Sequence, residues 1–509
     1  MSFRIVTTPL AATAGLPAER AGGFPSALLP ACIPTPGAEA TLERLRDPRV
    51  LAVTTGQQPA LFTGPLYTVH KALSAAALAR ELERRWNRPV VPIFWVAGDD
   101  HDFSEAAHAA WIGADGSIRH ATLRQRPADA PMLPLYRERL GKDIDVPLAD
   151  IAASLPESEF REETLAWLNR HYQPDATMAA AFAGALAELL APYGIVCLSS
   201  THAAFKQAAA PYLIRALEAS GALDAELATR SAELVAAGHD PGVATGGDAT
   251  LVMIEGAAGR DRLVRSPDGF TTRRGEEHFT LRELQEVAAR NPERLSPNVL
   301  LRPAIESALL PTVAYAAGPG ELRYLALTPP IYGRLGVPRQ IPVPRWSGIV
   351  VGARVDRALT KFGLMLEDLA RPVATLESRV VRSRLPAAVD LSLSELQALL
   401  TERYTALRDT AGRIDPTLVR MIDAQRERAL AGVTHVERKL VSHLRHRIEV
   451  ELRQLTLAHD AIYPDGVPQE RVLSVPSFLA RHGRAVLDAA LGAASDWYRS
   501  ALESSAAPA

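Results

Sequence analysis

The spacing of apolar residues changes character along the chain, and each change marks a different kind of element. Leu51 to Thr55 is a short β-branched run ending at Gly56, and Val90 to Ala97 is an almost unbroken apolar run. Runs without alternation predict strands covered on both faces, as in a parallel sheet. Between them, Pro65 to Trp86 holds no further proline and ends on Arg84-Arg85, which predicts a helix with cations at its favoured end. Thr63 is a candidate cap, and Gly64-Pro65 the helix start. Residues 50–112 therefore read as a βαβ unit. From Gly113 to about Asp175 the pattern loosens into turns, acids and short apolar groups, which predicts an inserted segment. Helix-to-strand order returns over 178–199, with a strand from Gly194 to Ser199, and a helix follows from about His202 to Leu217. A second mixed stretch opens near His239, with strands at Thr250–Glu255 and Arg262–Arg265 and a short helix near Thr280–Asn291. Leu309 to Ala317 predicts another strand, and Gly318-Pro319-Gly320 a turn into a helix.

Past Trp346 the period becomes helical. Leu393, Leu396, Leu400, Tyr404 and Leu407 step by three and four, as do Val433, Val436, Leu440, Leu444, Ile448, Leu452 and Leu455. Narrow stripes on arginine- and glutamate-rich arms predict an antiparallel coiled coil that turns at Ile414-Asp415-Pro416. Such an arm cannot bury its stripes alone, so a second copy of the chain is the expected partner. An intramolecular bundle is the alternative. The domain reading is a core over 1–350 interrupted at about 113–177 and 240–295, a helical coiled coil over 351–463, and helices over 464–509 packing back on the core before an Ala/Ser/Pro tail. Residues 1–45, rich in proline and alanine, are expected to drape over that core.

Composition narrows the function classes. Apolar residues make up 47% and charged residues 22% of the 509, ordinary for a globular protein. Lys+Arg total 56 against 58 Asp+Glu, so there is no nucleic-acid or membrane footprint. Two cysteines, Cys32 and Cys197, exclude a disulfide scaffold and a cysteine metal site; they read as packed thiols and suit a cytoplasmic location. The first fifteen residues carry one arginine and no long apolar block, so no secretory signal is expected.

The candidate chemistry gathers after the strands. Gly56-Gln57-Gln58 follows one, and Gly64 with Tyr67 stands near a helix N-terminus, a place suited to phosphate or carboxylate. The glutamines can donate and accept, which suits a sugar, an adenine edge or an amino acid. A tight turn that simply needs glycine explains the same residues. The pattern is neither a P-loop nor a dinucleotide fingerprint. Lys71 is either an anion contact or an ordinary solvated lysine. Asp99, Asp100, His101 and Asp102 lie beyond the second strand, where open α/β sheets bind ligands. Neighbouring carboxylates are expected to raise the basicity of His101, with Asp100 or Asp102 orienting it. Metal binding by this cluster, with His108 as a weak further ligand, and simple helix capping near Ser104-Glu105 are the alternatives. Asn298 and Arg302 lie in a segment flanked by Pro297 and Pro303; Arg302 is an anion clamp or a partner of Glu306. Gly318, Pro319, Glu321 and Tyr324 form a second turn expected at the same cleft.

The stretches TGQQPALFTGPLYTVHKA, PVVPIFWVAGDDHDF, SPNVLLRP and LPTVAYAAGPGELRYL, with the helical arm after them, occur in the order of the cysteine-adding enzyme family of bacillithiol biosynthesis. The resemblance covers nearly the whole chain. One departure is Asp99, which stands where that family usually has glutamate. The resemblance implies an α/β fold, with a Rossmann-like parallel-sheet core interrupted by connective segments, similar to class I aminoacyl-tRNA synthetases and nucleotidylyltransferases. It also implies a dimerising antiparallel coiled coil. The implied activity is addition of L-cysteine to glucosaminyl-malate. ATP or another nucleotide, with Mg²⁺, is expected to activate the carboxyl group, and no protein-held metal is expected. A non-catalytic nucleotide- or sugar-binding dimer and a metal-dependent hydrolase are the competing readings.

Overall fold

The computed structural model describes residues 3–11 and 17–504, so most of the expected Ala/Ser/Pro tail lies outside the described residues. The chain divides into two compact units, Met1–Val350 with Gln469–Ala509, and Val351–Pro468. At the centre of the larger unit is a sheet of five strands: β1 (Leu51–Gln57), β2 (Val90–Val96), β3 (Val196–Ser199), β4 (Thr312–Ala317) and β5 (Ile341–Pro344). Neighbours are parallel throughout, in the spatial order 3-2-1-4-5. The order reverses between β1 and β4, which opens a crevice beyond their carboxyl ends.

Both faces of this sheet are covered. Leu51, Val53, Phe94 and Val96 enter one apolar cluster with helix α1 (Tyr67–Trp86) and the C-terminal helix Ala485–Ser504. Ala52, Val91, Ile93 and Trp95 enter the other, with the helix Ala203–Glu218 and an antiparallel sheet. Side chains alternate along each strand, but both sides meet apolar neighbours, so the runs carry no polar period.

The turn from β1 into α1 differs from the expected one. Phe62, Thr63 and Gly64 all have positive φ, at 51°, 69° and 71°, a backbone that cannot continue into a right-handed helix. Thr63 is therefore no cap; its hydroxyl bonds to Phe62 O at 2.6 Å, and α1 starts at Tyr67 rather than Pro65. The strand expected from Leu309 begins at Thr312, because Arg302–Leu309 is a helix that Pro311 prevents from continuing.

The two inserts build one wall. In the first, the amides of Leu135 and Tyr136 donate to Asp100 O at 2.7 Å and Gly98 O at 3.0 Å, so this strap lies on the loop after β2. The second holds an antiparallel sheet of five strands, where two had been expected: Ala249–Gly256, Gly259–Ser266, Gly269–Thr272, His278–Phe279 and Leu295–Pro297. The inserts clasp at Gly259, whose φ is +82° and where a Cβ would stand 2.5 Å from the Met132 backbone. Only glycine fits there. The lead-in covers the sheet edge, with Ile33 N donating to Cys197 O at 2.8 Å beside a Cys32–Leu198 bridge.

In the second unit, helices Ala387–Gly412 and Leu418–Arg447 form the long hairpin, followed by Glu449–Ile462. Residues 464–468, expected with the C-terminal helices, belong to this unit. Val433, Leu452 and Leu455 are buried, while Leu396, Leu407, Val436 and Leu440 remain 44%, 53%, 50% and 38% exposed. No helix among the described residues is long and apolar enough to cross a membrane.

Candidate active site

A cleft of about 710 Å³ lies beyond the carboxyl ends of β1, β2 and β4. Gly56, Gln57 and Gln58 reach it from β1; a Cβ at Gly56 would stand 2.7 Å from Trp95 O, so close packing of β1 on β2 requires this glycine. Gly64 does not line the cleft, because its turn carries it away before α1 returns with Tyr67 and Lys71.

Lys71 is no solvated lysine. Its buried ammonium bonds to Gly56 O, lies 3.3 Å from Gln57 Oε1 and pairs with Glu321 Oε2 at 2.8 Å. Glu321 also accepts from Tyr315 Oη at 2.6 Å and from the Gly318 amide at 2.7 Å. Burial pushes the Glu321 carboxyl up, but Lys71 and these donors outweigh it and hold the group below the usual range. Lys71 thus ties the end of β1 to the loop after β4, across the reversal of strand order. Pro319 and Tyr324 complete that side.

Arg302 opens its helix and donates from Nη1 to Glu306 Oε2 at 2.7 Å, while its guanidinium sits 4.8 Å from the Tyr315 ring centroid. Fully buried Glu306 also accepts from Thr54 and from Gln340. Asn298 turns its Oδ1 to the amides of Leu300 and Leu301, at 3.1 and 3.0 Å, so it shapes the turn beside the cleft.

The acids after β2 are separated by their partners. Asp99, on the cleft wall, pairs with Lys206. Asp100 Oδ1 accepts the amides of His101 and Asp102 at 2.7 and 3.2 Å. Asp102 caps the helix Phe103–Ala106 through the Glu105 amide at 3.0 Å and does not line the cleft. Neither acid orients His101. Arg260 does, with Nη1 3.1 Å from His101 Nδ1. A guanidinium only donates, so Nδ1 accepts and the neutral ring carries its proton on Nε2. Burial first, and the Arg260 charge next, push His101 down to about 4 against Asp100 and Asp102. The expected gain in basicity is reversed, because burial and an arginine from 159 residues further along the chain outweigh the adjacent acids.

That arginine comes with Arg262 from the second insert; Arg345 and Arg471 also line the cleft, as does Glu105, whose carboxyl burial raises. The alternation Gly259-Arg260-Asp261-Arg262 was the one local signal for the pair. Arg345 is held by Glu470 at 2.8 and 2.5 Å, and Glu470 also accepts from Ser347 at 2.9 Å and His70 Nδ1 at 2.8 Å. Cys32 and Cys197 are buried, and burial pushes the Cys32 thiol up to about 12. Among the described residues no group of three or more His, Cys, Asp or Glu side chains is arranged to hold a metal ion.

A parallel sheet with its cleft at the reversal of strand order, joined to a separate helical hairpin, defines a Rossmann-like protein with a coiled-coil unit. Two family models match the chain: Bacillithiol biosynthesis BshC, N-terminal Rossmann-like domain, over residues 32–346, and Bacillithiol biosynthesis BshC, C-terminal coiled-coil domain, over 348–496. The chain belongs to the BshC family. Curated relatives carry the name "Putative cysteine ligase BshC". The one from Heliobacterium modesticaldum is 32% identical over 89% of this chain and 83% of its own length. Those from Chlorobaculum tepidum and Salinibacter ruber are 30% and 32% identical, each over 88% of this chain and 81% of their own length.

Proposed function

We propose that the chain is a ligase that joins the carboxyl group of L-cysteine to the amine of glucosaminyl-malate, the last step of bacillithiol biosynthesis, acting in the cytoplasm. The observation that carries this reading is the polar cleft at the β1–β4 reversal, in a member of a family whose relatives are named cysteine ligases. A carboxylate becomes an acyl donor only when one oxygen is made a leaving group. ATP serves this, with Mg²⁺ accompanying its phosphates. Attack of the carboxylate on the α-phosphate releases pyrophosphate and leaves an adenylate; attack on the γ-phosphate releases ADP and leaves an acyl phosphate. The amine then forms the C–N bond, AMP or phosphate departs, and the amine loses a proton. In this scheme neutral His101 donates from Nε2 to an oxygen that gains charge. Glu105, exposed at the mouth of the cleft and made more basic by partial desolvation and by the neighbouring Asp102 and Asp100 charges, is the better acceptor for the amine proton.

Purified protein with ATP, cysteine and glucosaminyl-malate is expected to yield bacillithiol by mass spectrometry, with AMP or ADP identifying the activation step. Absence of both product and nucleotide turnover would leave a non-catalytic binding protein as the answer. Loss of the donor in His101→Ala is expected to lower kcat/KM at least about 10²-fold. Full activity in that variant removes the role.

The exposed apolar positions along the hairpin support a homodimer formed through the helical unit. Sedimentation velocity of the whole chain is expected to give twice the chain mass, and replacing Leu396, Leu407, Val436 and Leu440 with glutamine should yield monomer. Wild-type protein that sediments as a monomer at all concentrations refutes the dimer.

A further inference from the structure

We propose that Arg260 and Arg262 form the anion-binding pole of the cleft, seating the carboxylate- or phosphate-bearing end of a substrate. Both stand on the strand Gly259–Ser266 of the inserted sheet and line the cleft. Two residues apart, they share one face of the strand. Asp261, between them, is turned away and engaged by the amides of Arg274 and Gly275 at 2.5 and 3.1 Å.

The buried cations elsewhere around the cleft have carboxylate partners: Lys71 with Glu321, Lys206 with Asp99, Arg302 with Glu306, and Arg345 with Glu470. Arg260 departs from this rule. It is only 8% exposed, yet it donates to Ser296 Oγ at 2.9 Å, Pro297 O at 2.8 Å and His101 Nδ1 at 3.1 Å, all neutral acceptors. No carboxylate among the described residues pairs with Arg260 or Arg262 within 4.0 Å. A cation removed from water without a counter-charge is unfavourable, and a second cation beside it makes matters worse. Burial and the neighbouring Arg273 and Arg260 all press the Arg262 guanidinium downward, which describes the same crowding. An anion between the two guanidinium groups relieves both, and arginine's planar fork suits carboxylate and phosphate alike. His101, held by Arg260, then lies beside the bound group.

The pole depends on the ligase reading only for the identity of its ligand, which is either a carboxylate of the malate end of the acceptor or the phosphates of the nucleotide. Calorimetric titration of the whole protein with L-malate, and separately with ATP and Mg²⁺, distinguishes them. Arg262→Gln is expected to weaken one ligand at least tenfold and leave the other unchanged, with Arg262→Lys intermediate. A loss confined to malate assigns the acceptor, and a loss confined to ATP assigns the nucleotide. Arg260→Gln should weaken the same ligand, and its thermal melt, read beside that of Arg262→Gln, separates this effect from unfolding. The proposal is overturned if wild-type protein binds neither ligand, or if Arg262→Gln binds both as wild type does. Because binding is read without turnover, wild-type malate or ATP binding that Arg262→Gln loses, in a protein that makes no bacillithiol, keeps the pole and rejects the ligase.

Discussion

Glu470→Gln is expected to destabilise the larger unit by about 3–5 kcal/mol at pH 7, because it leaves the buried Arg345 guanidinium without its counter-charge. Arg345 is 3% and Glu470 6% exposed at the side chain, so water cannot replace the lost partner. The carboxylate is also the common acceptor for His70 and Ser347, and His70 in turn packs edge-on against Trp346, with ring centroids 4.8 Å apart. Burial pushes the Glu470 carboxyl up, but the His70 hydrogen bond and Arg345 more than reverse it and hold the group well below the usual carboxylate range. A depressed folded-state pKa stabilises the fold above the unfolded value, about 4.3 for glutamate, and that contribution fades as pH falls through the folded value. The difference between wild type and variant should therefore be full at pH 7 and shrink only below about pH 4. Urea unfolding at several pH values measures it. A variant with the wild-type midpoint at pH 7 would show that the network is worth nothing net. Since Arg345 and Arg471 flank this glutamate in the cleft wall, the variant should lose ligand affinity as well.

What the sequence made legible follows from the range over which its signals act. The apolar runs at Leu51–Thr55 and Val90–Ala97 found two central strands, because burial on both faces leaves no polar period. The three-and-four steps after residue 390 found the helical hairpin for the same local reason. Of the residues singled out for chemistry, Gln57, Lys71, His101, Arg302 and Glu321 meet in one cleft, since turns after parallel strands fall at one end of the sheet. Gly64 and Asp102 do not join them; one sits in a left-handed turn and the other caps a helix. Partnership was the illegible part. No local period announces that Arg260 will reach His101, or that Glu470, 125 residues beyond Arg345, will hold that arginine. Adjacent acids are visible in a sequence and a distant arginine is not, so the rise in basicity expected for His101 is replaced by a fall.

Lys71→Met is expected to affect stability and activity together, because this lysine joins the two loops that bound the cleft. Methionine matches its length and keeps the apolar stem packed, so the change removes little beyond the ammonium. Without it, half-buried Glu321, 20% exposed at the side chain, keeps only Tyr315 and the Gly318 amide as donors, and partial access to water holds the cost below the roughly 3–5 kcal/mol of a fully buried unpaired charge. Gly56 O and Gln57 Oε1 lose their donor on the other side. In the wild type the depressed Glu321 pKa stabilises the fold above about pH 4.3 and ceases to do so as pH falls through the folded value. In Lys71→Met that carboxyl rises, so stability should fall less on acidification than in the wild type, and the two proteins should converge toward low pH. The double change Lys71→Met with Glu321→Gln removes both charges and should recover much of the lost stability, since a neutral pair at this place no longer has to be desolvated. Recovery of stability without recovery of cysteine ligation would separate the structural role of the pair from its role in the cleft. If the single and double variants are equally unstable, Lys71 and Glu321 are not coupled, and the bridge between β1 and the loop after β4 is not what holds the cleft open.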